Sequence, residues 1–400
     1  MCSSDLEISK VKNRIEWLEE YFFEPIVDLT LEIAEIDQET CDIEGLPFFP
    51  IEPRMRWGKE WGIAWFKGTY SLDQVQEGEL LLFDIDVGGE SVVYIDGNAI
   101  GAIDREHKQL PLLGDELIDG EHHILIKSYA GHHMPSVTPS PKALKKGGYS
   151  QRVFERARIV RRNDYVWHLY YDLQTLMELA LILPDDSLRK AKILRRLYEA
   201  VDLVTWETGG KYLKREELIQ ARKYIAPLLQ LQNGPTSPTV NMIGHAHIDV
   251  AWLWPLAETI RKCERTFSTQ LRMMQCYPEY KFLQSQPQLY EFTEKYYPTV
   301  FQGIKEAIEK GRWEAGGGMW VEADCNVPSA ESLIRQFLLG KTYFNEKFGK
   351  ESRFLWLPDV FGYSGNLPQI MKGCDVDFFI TSKINWNDTN IFPYDIFLWR

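Results

Sequence analysis

The chain has 400 residues, is 44% hydrophobic and 13% aromatic, and carries a formal net charge of −13, which gives apolar mass for about two or three packed domains. The acidic balance excludes a general nucleic-acid surface, which needs clustered Lys and Arg, and no apolar run approaches the ~18 residues of a membrane span. Cys2, Cys41, Cys263, Cys276, Cys325 and Cys374 lie far apart with no CxxC pair, so neither a disulfide framework nor a thiolate zinc site is expected. Met1 to Asp5 shows no charged-then-apolar leader, and a reducing, cytoplasmic setting is the simplest expectation.

From Asp5 to about Leu31, Leu6, Ile8, Val11, Ile15, Leu18 and Tyr21 recur at helical spacing between charged residues. An amphipathic helix is expected there, within an N-terminal helical arm over 1–52. Pro47, Pro50 and Pro53 mark a linker. The period then changes to two. Trp57 to Tyr70, Glu79 to Val87, Val92 to Ile95 and His123 to Lys127 read as strands, and Asp96-Gly97-Asn98 signals a hairpin turn. Short strands at this spacing predict a β-sandwich over 53–162. Arg152, Arg156, Arg158, Arg161 and Arg162 form a local basic ribbon expected to be solvated. From Asn163 to about Leu231, apolar stripes through Leu169, Leu173, Leu176, Ile193 and Leu197 predict a helical connector over 163–238. It is interrupted at Pro184, with Ser187 as an N-cap, and closed by the linker Gln232 to Pro238.

Beyond the linker, strand-length apolar runs alternate with helical patterns. A strand runs into His245, followed by a helix from about Pro255 to Gln275, the strand Tyr280 to Gln284 and one helix across Gln288 to Lys310. Then come Trp313 to Ala315, a helix from Ser329 to Lys347, Arg353 to Leu357, a short helix before Gly373, and Asp377 to Thr381. This alternation implies βαβ units on a parallel sheet over 239–400, open or curled into a distorted β/α barrel. The fold class expected for the chain is α/β plus all-β. Ligands of such sheets bind at the carboxyl ends of the strands, so the polar residues directly after each strand are expected to converge.

The first strand runs into Gly244-His245-Ala246-His247-Ile248-Asp249. In an extended chain His245, His247 and Asp249 share one face, and imidazole nitrogen with carboxylate oxygen is a donor set suited to Zn²⁺. The alternative is a strand end whose histidines hydrogen-bond carbonyls while Asp249 caps the next helix. Trp252 and Trp254 follow, and an indole face can take a sugar ring. Gln284, Ser285 and Gln286 follow the second strand. Gly316-Gly317-Gly318, Trp320, Glu322 and Asp324 follow the third; no Gly-Lys-Ser/Thr succeeds the glycines, so they are not a phosphate loop. Asp324 is either a substrate contact or a solvated loop residue. Asp359, behind Pro358 at the end of the fourth strand, is either a rigidly held nucleophile or metal ligand, or an N-cap. Lys383, after the fifth, can reach a ligand hydroxyl or pair with Asp359. Such a crevice suits an uncharged, polyhydroxylated ligand.

Three motifs, Gly244-His245-Ala246-His247-Ile248-Asp249-Val250-Ala251-Trp252, Leu357-Pro358-Asp359-Val360-Phe361-Gly362-Tyr363-Ser364 and Thr381-Ser382-Lys383-Ile384-Asn385-Trp386-Asn387, resemble glycoside hydrolase family 38, the retaining α-mannosidases. With Trp57 to Phe66 and Tyr94-Ile95-Asp96-Gly97 the likeness is to the cytosolic-type branch and covers most of the chain. The resemblance implies one Zn²⁺ per site with His247, Asp249 and Asp359 as ligands, and Asp359 also as the nucleophile. It implies Trp252 beneath the sugar, Lys383 near the substrate and His245 orienting the site from behind the ligands. The implied substrate is a mannose-containing oligosaccharide or small mannoside, with no nucleic acid and no membrane as partner; a homo-oligomer is admitted. The family's remaining zinc-ligand histidine and its acid/base aspartate lie farther downstream than its second motif, and no histidine follows His247. The catalytic domain is therefore expected to be incomplete at Arg400, and the chain alone weakly active. Two rival readings stay open: a zinc hydrolase of deacetylase type that activates water, with Asp359 as base, and a non-catalytic sugar-binding fragment.

Overall fold

The leading helix spans Ser3–Leu18 and does not run on to Leu31. Pro25 cannot donate to a helix ladder, and the chain around it is drawn into sheets. Phe23–Asp28 pairs antiparallel with Arg156–Arg162, and Leu31–Ile36 with Ile63–Ser71. Leu31 and Ile33 are 1% and 0% exposed. Full burial contributes about 1.5–3 kcal/mol for such a side chain, against helix propensities that differ by at most ~0.7 kcal/mol per ordinary residue. The arm read as helical over 1–52 thus gives three strands to the β structure, these two and Phe49–Ile51. The computed structural model describes residues 3–36, 43–72, 75, 78–133, 149–206 and 213–399; Cys2 and Cys41 lie outside them. The four described cysteines are free, and among the described residues no helix is long and apolar enough to cross a membrane.

Two antiparallel sheets enclose one core. The first has the order Phe23–Asp28, Arg156–Arg162, Leu81–Asp86, Gln109–Pro111. The second has the order Phe49–Ile51, Leu31–Ile36, Ile63–Ser71, Glu121–Tyr129, Glu90–Ile95, Asn98–Ile103. Alternate residues of both, among them Ile33, Phe66, Phe83, Ile124, Ile126 and Ile159, face the shared interior. The hairpin between Glu90–Ile95 and Asn98–Ile103 turns at Asp96 (φ 49°) and Gly97 (φ 83°), the paired positive φ angles that a two-residue turn between twisted strands requires. The arginine ribbon is not merely solvated. Asp84, 1% exposed, accepts from Arg156 Nε at 2.7 Å and Nη2 at 2.9 Å and from Arg158 Nε at 2.9 Å, joining neighbouring strands.

Three helices, Asp164–Ile182, Leu188–Val201 and Arg215–Leu229, pack with the leading helix around Val11, Leu18, Leu169, Leu173, Leu197 and Ile225. Asn163 and Ser187 cap the first two through the Val166 and Lys190 amides.

After residue 243 the strands become parallel. Gly244–His245, Phe282–Gln284 and Trp313–Ala315 form one sheet in chain order, and Phe354–Leu357 pairs with Phe378–Thr381. Trp356 N donates to Gly317 O at 3.2 Å, joining the two pieces. The helix read as continuous across Gln288 to Lys310 is two, Pro287–Tyr296 and Pro298–Glu309. Pro298 disfavours helical backbone in the residue before it, and Tyr297 lies at φ −137°, ψ 62°. The helix Leu256–Cys276 packs on one side against the parallel strands through Cys263 and Phe267. On another it meets the antiparallel sheets, where Ala102 N donates to Thr269 Oγ1 at 2.9 Å and Lys127 Nζ meets Glu264 Oε2 at 2.6 Å.

A candidate metal centre at the strand ends

Parallel register brings distant residues side by side. Leu357 pairs with Thr381, so Asp359 and Lys383, each two residues on, emerge together, and Lys383 Nζ lies 2.7 Å from Asp359 Oδ1. His245 pairs with Leu283, which sets His247 beside Ser285. Only Gly244–His245 forms regular strand; the segment beyond is pinned by side chains. Gln284 Nε2 donates to Ala246 O at 3.1 Å and Gln286 Nε2 to Ile248 O at 2.9 Å. Both glutamines are buried, so these bonds satisfy backbone carbonyls that no ladder partner reaches.

The result gathers His247, Asp249 and Asp359. One ligand atom from each lies within 4.8 Å of the others, with His247 Nε2 at 3.3 Å from Asp249 Oδ1 and 3.5 Å from Asp359 Oδ2. The other ring nitrogen, Nδ1, donates to Glu322 Oε2. Glu322 also accepts from Ser285 Oγ, its side chain is 2% exposed, and His245 Nε2 stands 3.7 Å away. Burial works against the charge of Glu322, but the two imidazoles and the serine outweigh it and hold the carboxyl below its usual range. For His247 burial disfavours the charged ring, while hydrogen bonds to Asp249 and Glu322 and their charges raise its pKa to about 10. A histidine whose far nitrogen is tied to a carboxylate presents Nε2 in a fixed direction, an arrangement common to metal-ligating imidazoles. One imidazole and two carboxylates, partly open to solvent, fit a borderline dication with positions left for a substrate.

Thr259, buried at the start of the helix Leu256–Cys276, shapes the loop after Asp249. Its hydroxyl accepts from Ala251 N at 3.1 Å and Trp254 Nε1 at 3.0 Å and donates to Asp249 O at 3.0 Å, using its whole capacity of one donor and two acceptors. Ala251 lies in the left-handed region at φ 75°, which costs a non-glycine residue about 1 kcal/mol or more; the Thr259 contacts hold it there. The N-cap alternatives for the two aspartates fail, because the helices that follow Asp249 and Asp359 start behind Pro255 and Asn366.

Trp252, 53% exposed, stands edge-on to Trp254 at 5.6 Å. Phe361 and Trp386 are also exposed and flank Lys383, whose Nζ lies 3.6 Å from the Trp386 ring centre. His245 Nε2 accepts from Trp356 Nε1 at 3.1 Å. Asp324 is not gathered into the cluster: its Oδ1 accepts from Asn326 N and Val327 N, both at 2.8 Å, and shapes its own exposed loop. Glu322, two residues earlier, is the carboxylate that turns inward.

Residues 237–400 match the family model described as Glycosyl hydrolases family 38 N-terminal domain. Residues 237–400 belong to that family. Over 363 residues the chain is 36% identical to an alpha-mannosidase of Saccharomyces cerevisiae, covering 86% of this chain and 32% of that one. It is 33% identical over 349 residues to alpha-mannosidase G of Dictyostelium discoideum, with 86% and 32% covered. To alpha-mannosidase 2C1 of Homo sapiens it is 32% identical over 363 residues, with 88% and 34% covered. The chain thus spans about a third of the length of these curated relatives, and the likeness extends through the antiparallel sheets as well as the family 38 domain. Sequence reasoning placed Glu322 among the residues expected to converge but gave it no role of its own, and it missed Thr259 in that domain. The signal for Glu322 was its place between Val321 and Ala323, a lone charge in a short apolar run; Thr259 left none.

Proposed function

We propose that this chain carries the nucleophile and metal-ligand part of a retaining α-mannosidase. One Zn²⁺ is held by His247, Asp249 and Asp359, and terminal α-D-mannosyl residues of oligosaccharides or small mannosides are the substrate. The observation that carries the reading is the meeting of these three side chains, from segments remote in sequence, within 4.8 Å. When bound, the ion supplies Lewis acidity and a template for vicinal sugar hydroxyls. Two parallel pieces of sheet then act as parts of one barrel-like layer, with 53–162 and 163–238 as sandwich and connector beside it.

In this mechanism an oxygen of Asp359 attacks the anomeric carbon as the glycosidic C–O bond breaks, and the electron pair leaves on the departing oxygen. That oxygen takes a proton from a second carboxylic acid. Water then cleaves the glycosyl ester, with the same acid acting as base, and configuration is retained. Lys383, 2.7 Å from Asp359 Oδ1, holds the nucleophile's carboxylate in place by a charge-assisted contact. Glu322 fixes His247, and His245 backs Glu322. Trp252 takes the apolar face of the ring, and Asp324 is a rim residue. A cytoplasmic location accompanies the reading, in keeping with free cysteines.

The test is trapping with a fluorinated mannosyl fluoride followed by peptide mass spectrometry. A covalent glycosyl adduct on Asp359 is expected; an enzyme that turns over mannosides without ever forming an adduct there contradicts the proposal.

A further inference from the structure

A chain of polar contacts runs from the antiparallel sheets to the Asp249 loop. Thr259, which fixes that loop, is preceded by Glu258, fully buried. Glu258 accepts from Arg261 Nε at 2.7 Å and is also gripped by Arg265. Arg265 Nη2 extends to Glu90 Oε2 at 2.8 Å, on the strand Glu90–Ile95. The same Glu90 oxygen takes Lys262 Nζ at 3.0 Å. Lys262 lies 4.8 Å from the Trp254 ring centre, and the Trp254 indole N–H donates to Thr259 Oγ1. Two routes therefore run from one carboxylate on the β sheet to one hydroxyl on the helix, and both end on the residue that holds Asp249 O and Ala251 N.

We propose that Glu90 is a positioning residue for the Asp249-to-Trp254 loop, by which the antiparallel sheets set the backbone of the metal-ligand segment through Arg265–Glu258 and Lys262–Trp254. Arg265 is buried, and a buried guanidinium that loses one of two carboxylates pulls harder on the other. Glu258 then shifts at the first turn of the helix, next to Thr259. Lys262, released from Glu90, leaves the Trp254 face and loosens the indole that completes the Thr259 set. The strained φ of Ala251 makes the loop sensitive to such loosening.

The inference rests on the proposed metal site only for one of its two readouts. In the full chain, Glu90→Gln is expected to speed hydrogen exchange of the Ala251 amide and its loop by about fivefold or more, and to weaken Zn²⁺ binding by about three- to tenfold. Glu116→Gln is the control. It breaks another cross-sheet ion pair of the same helix, to Arg272, which touches neither route, and both readouts should stay within about twofold of the parent. Lys262→Gln, which removes one route, carries the same prediction at smaller size should Glu90→Gln fold poorly. Unchanged loop exchange in Glu90→Gln, or equal loss in Glu116→Gln, overturns the proposal by reducing Glu90 to an ordinary docking contact. A parent chain that binds no Zn²⁺ sinks the metal reading and leaves the exchange result to decide this one.

Discussion

Glu322 holds His247 by Nδ1, so that Nε2 faces Asp249 and Asp359. The donor set is thereby oriented by a carboxylate that does not itself join the cluster. Glu322→Ala, which removes the acceptor, is expected to weaken Zn²⁺ binding by about 10- to 100-fold. Glu322→Gln, which keeps an acceptor oxygen but no charge, should fall between parent and alanine. Competition titration of the metal-free chain against a chromophoric chelator checks the order; equal affinity in all three contradicts it.

The raised pKa of His247, about 10, makes metal and proton competitors for Nε2. A metal must displace one proton, so apparent Zn²⁺ affinity should rise about tenfold per pH unit between pH 6.5 and 9. For the metal-free chain the sign is opposite. A histidine raised from 6.5 in the folded state stabilises fully below pH 6.5, and that contribution is lost as pH climbs through about 10. Chelator competition and denaturant unfolding across that range measure the two slopes.

Thr259 separates loop geometry from packing volume. Thr259→Val keeps the shape and removes all three hydrogen bonds, and should cost about 1–3 kcal/mol as well as metal affinity. Thr259→Ser keeps the hydroxyl and should recover the affinity. Thermal unfolding run beside metal titration distinguishes the two; a valine variant with parental affinity contradicts the role given to the hydroxyl.

Asp84 is the electrostatic tie of the antiparallel sheets. Burial works against its charge, but Arg156, Arg158 and Gln109 outweigh it and hold its pKa below 3.8. A depressed carboxylate stabilises above its unfolded value, and that contribution is lost as pH falls through the folded one. Asp84→Ala should cost about 2–3 kcal/mol at pH 7, less than a fully buried pair because both arginines are a third exposed. The gap between variant and parent in urea unfolding should narrow toward pH 3.

The gathering of His247, Asp249 and Asp359 is legible in sequence because each lies just past the end of an apolar strand-length run, where parallel strands bring such residues together. The parallel class of the strands after residue 243 is legible in their alternation with helical patterns. What stays hidden depends on packing. Glu322 and Asp324 have the same parity and similar chemistry, and only the buried pocket of His247 and Ser285 tells which turns inward. Leu31 and Ile33, two apart, fit strand alternation rather than a helix face, but the run is short and follows a helical stripe, and it is the partner Ile63–Ser71 that fixes it as a strand. The break at Tyr297 was signalled by Pro298, but the apolar stripe on either side masks it. Glu90 looks like any exposed strand acid until the helix Leu256–Cys276 is laid against it.

The proposed centre is one divalent ion shared by His247, Asp249 and Asp359. Its most direct test is Zn²⁺ stoichiometry and affinity in the metal-stripped chain and in His247→Ala, Asp249→Ala and Asp359→Ala. One ion per parent chain is expected, with at least about a tenfold loss of affinity in each variant. Parental zinc content and affinity in all three variants would contradict it.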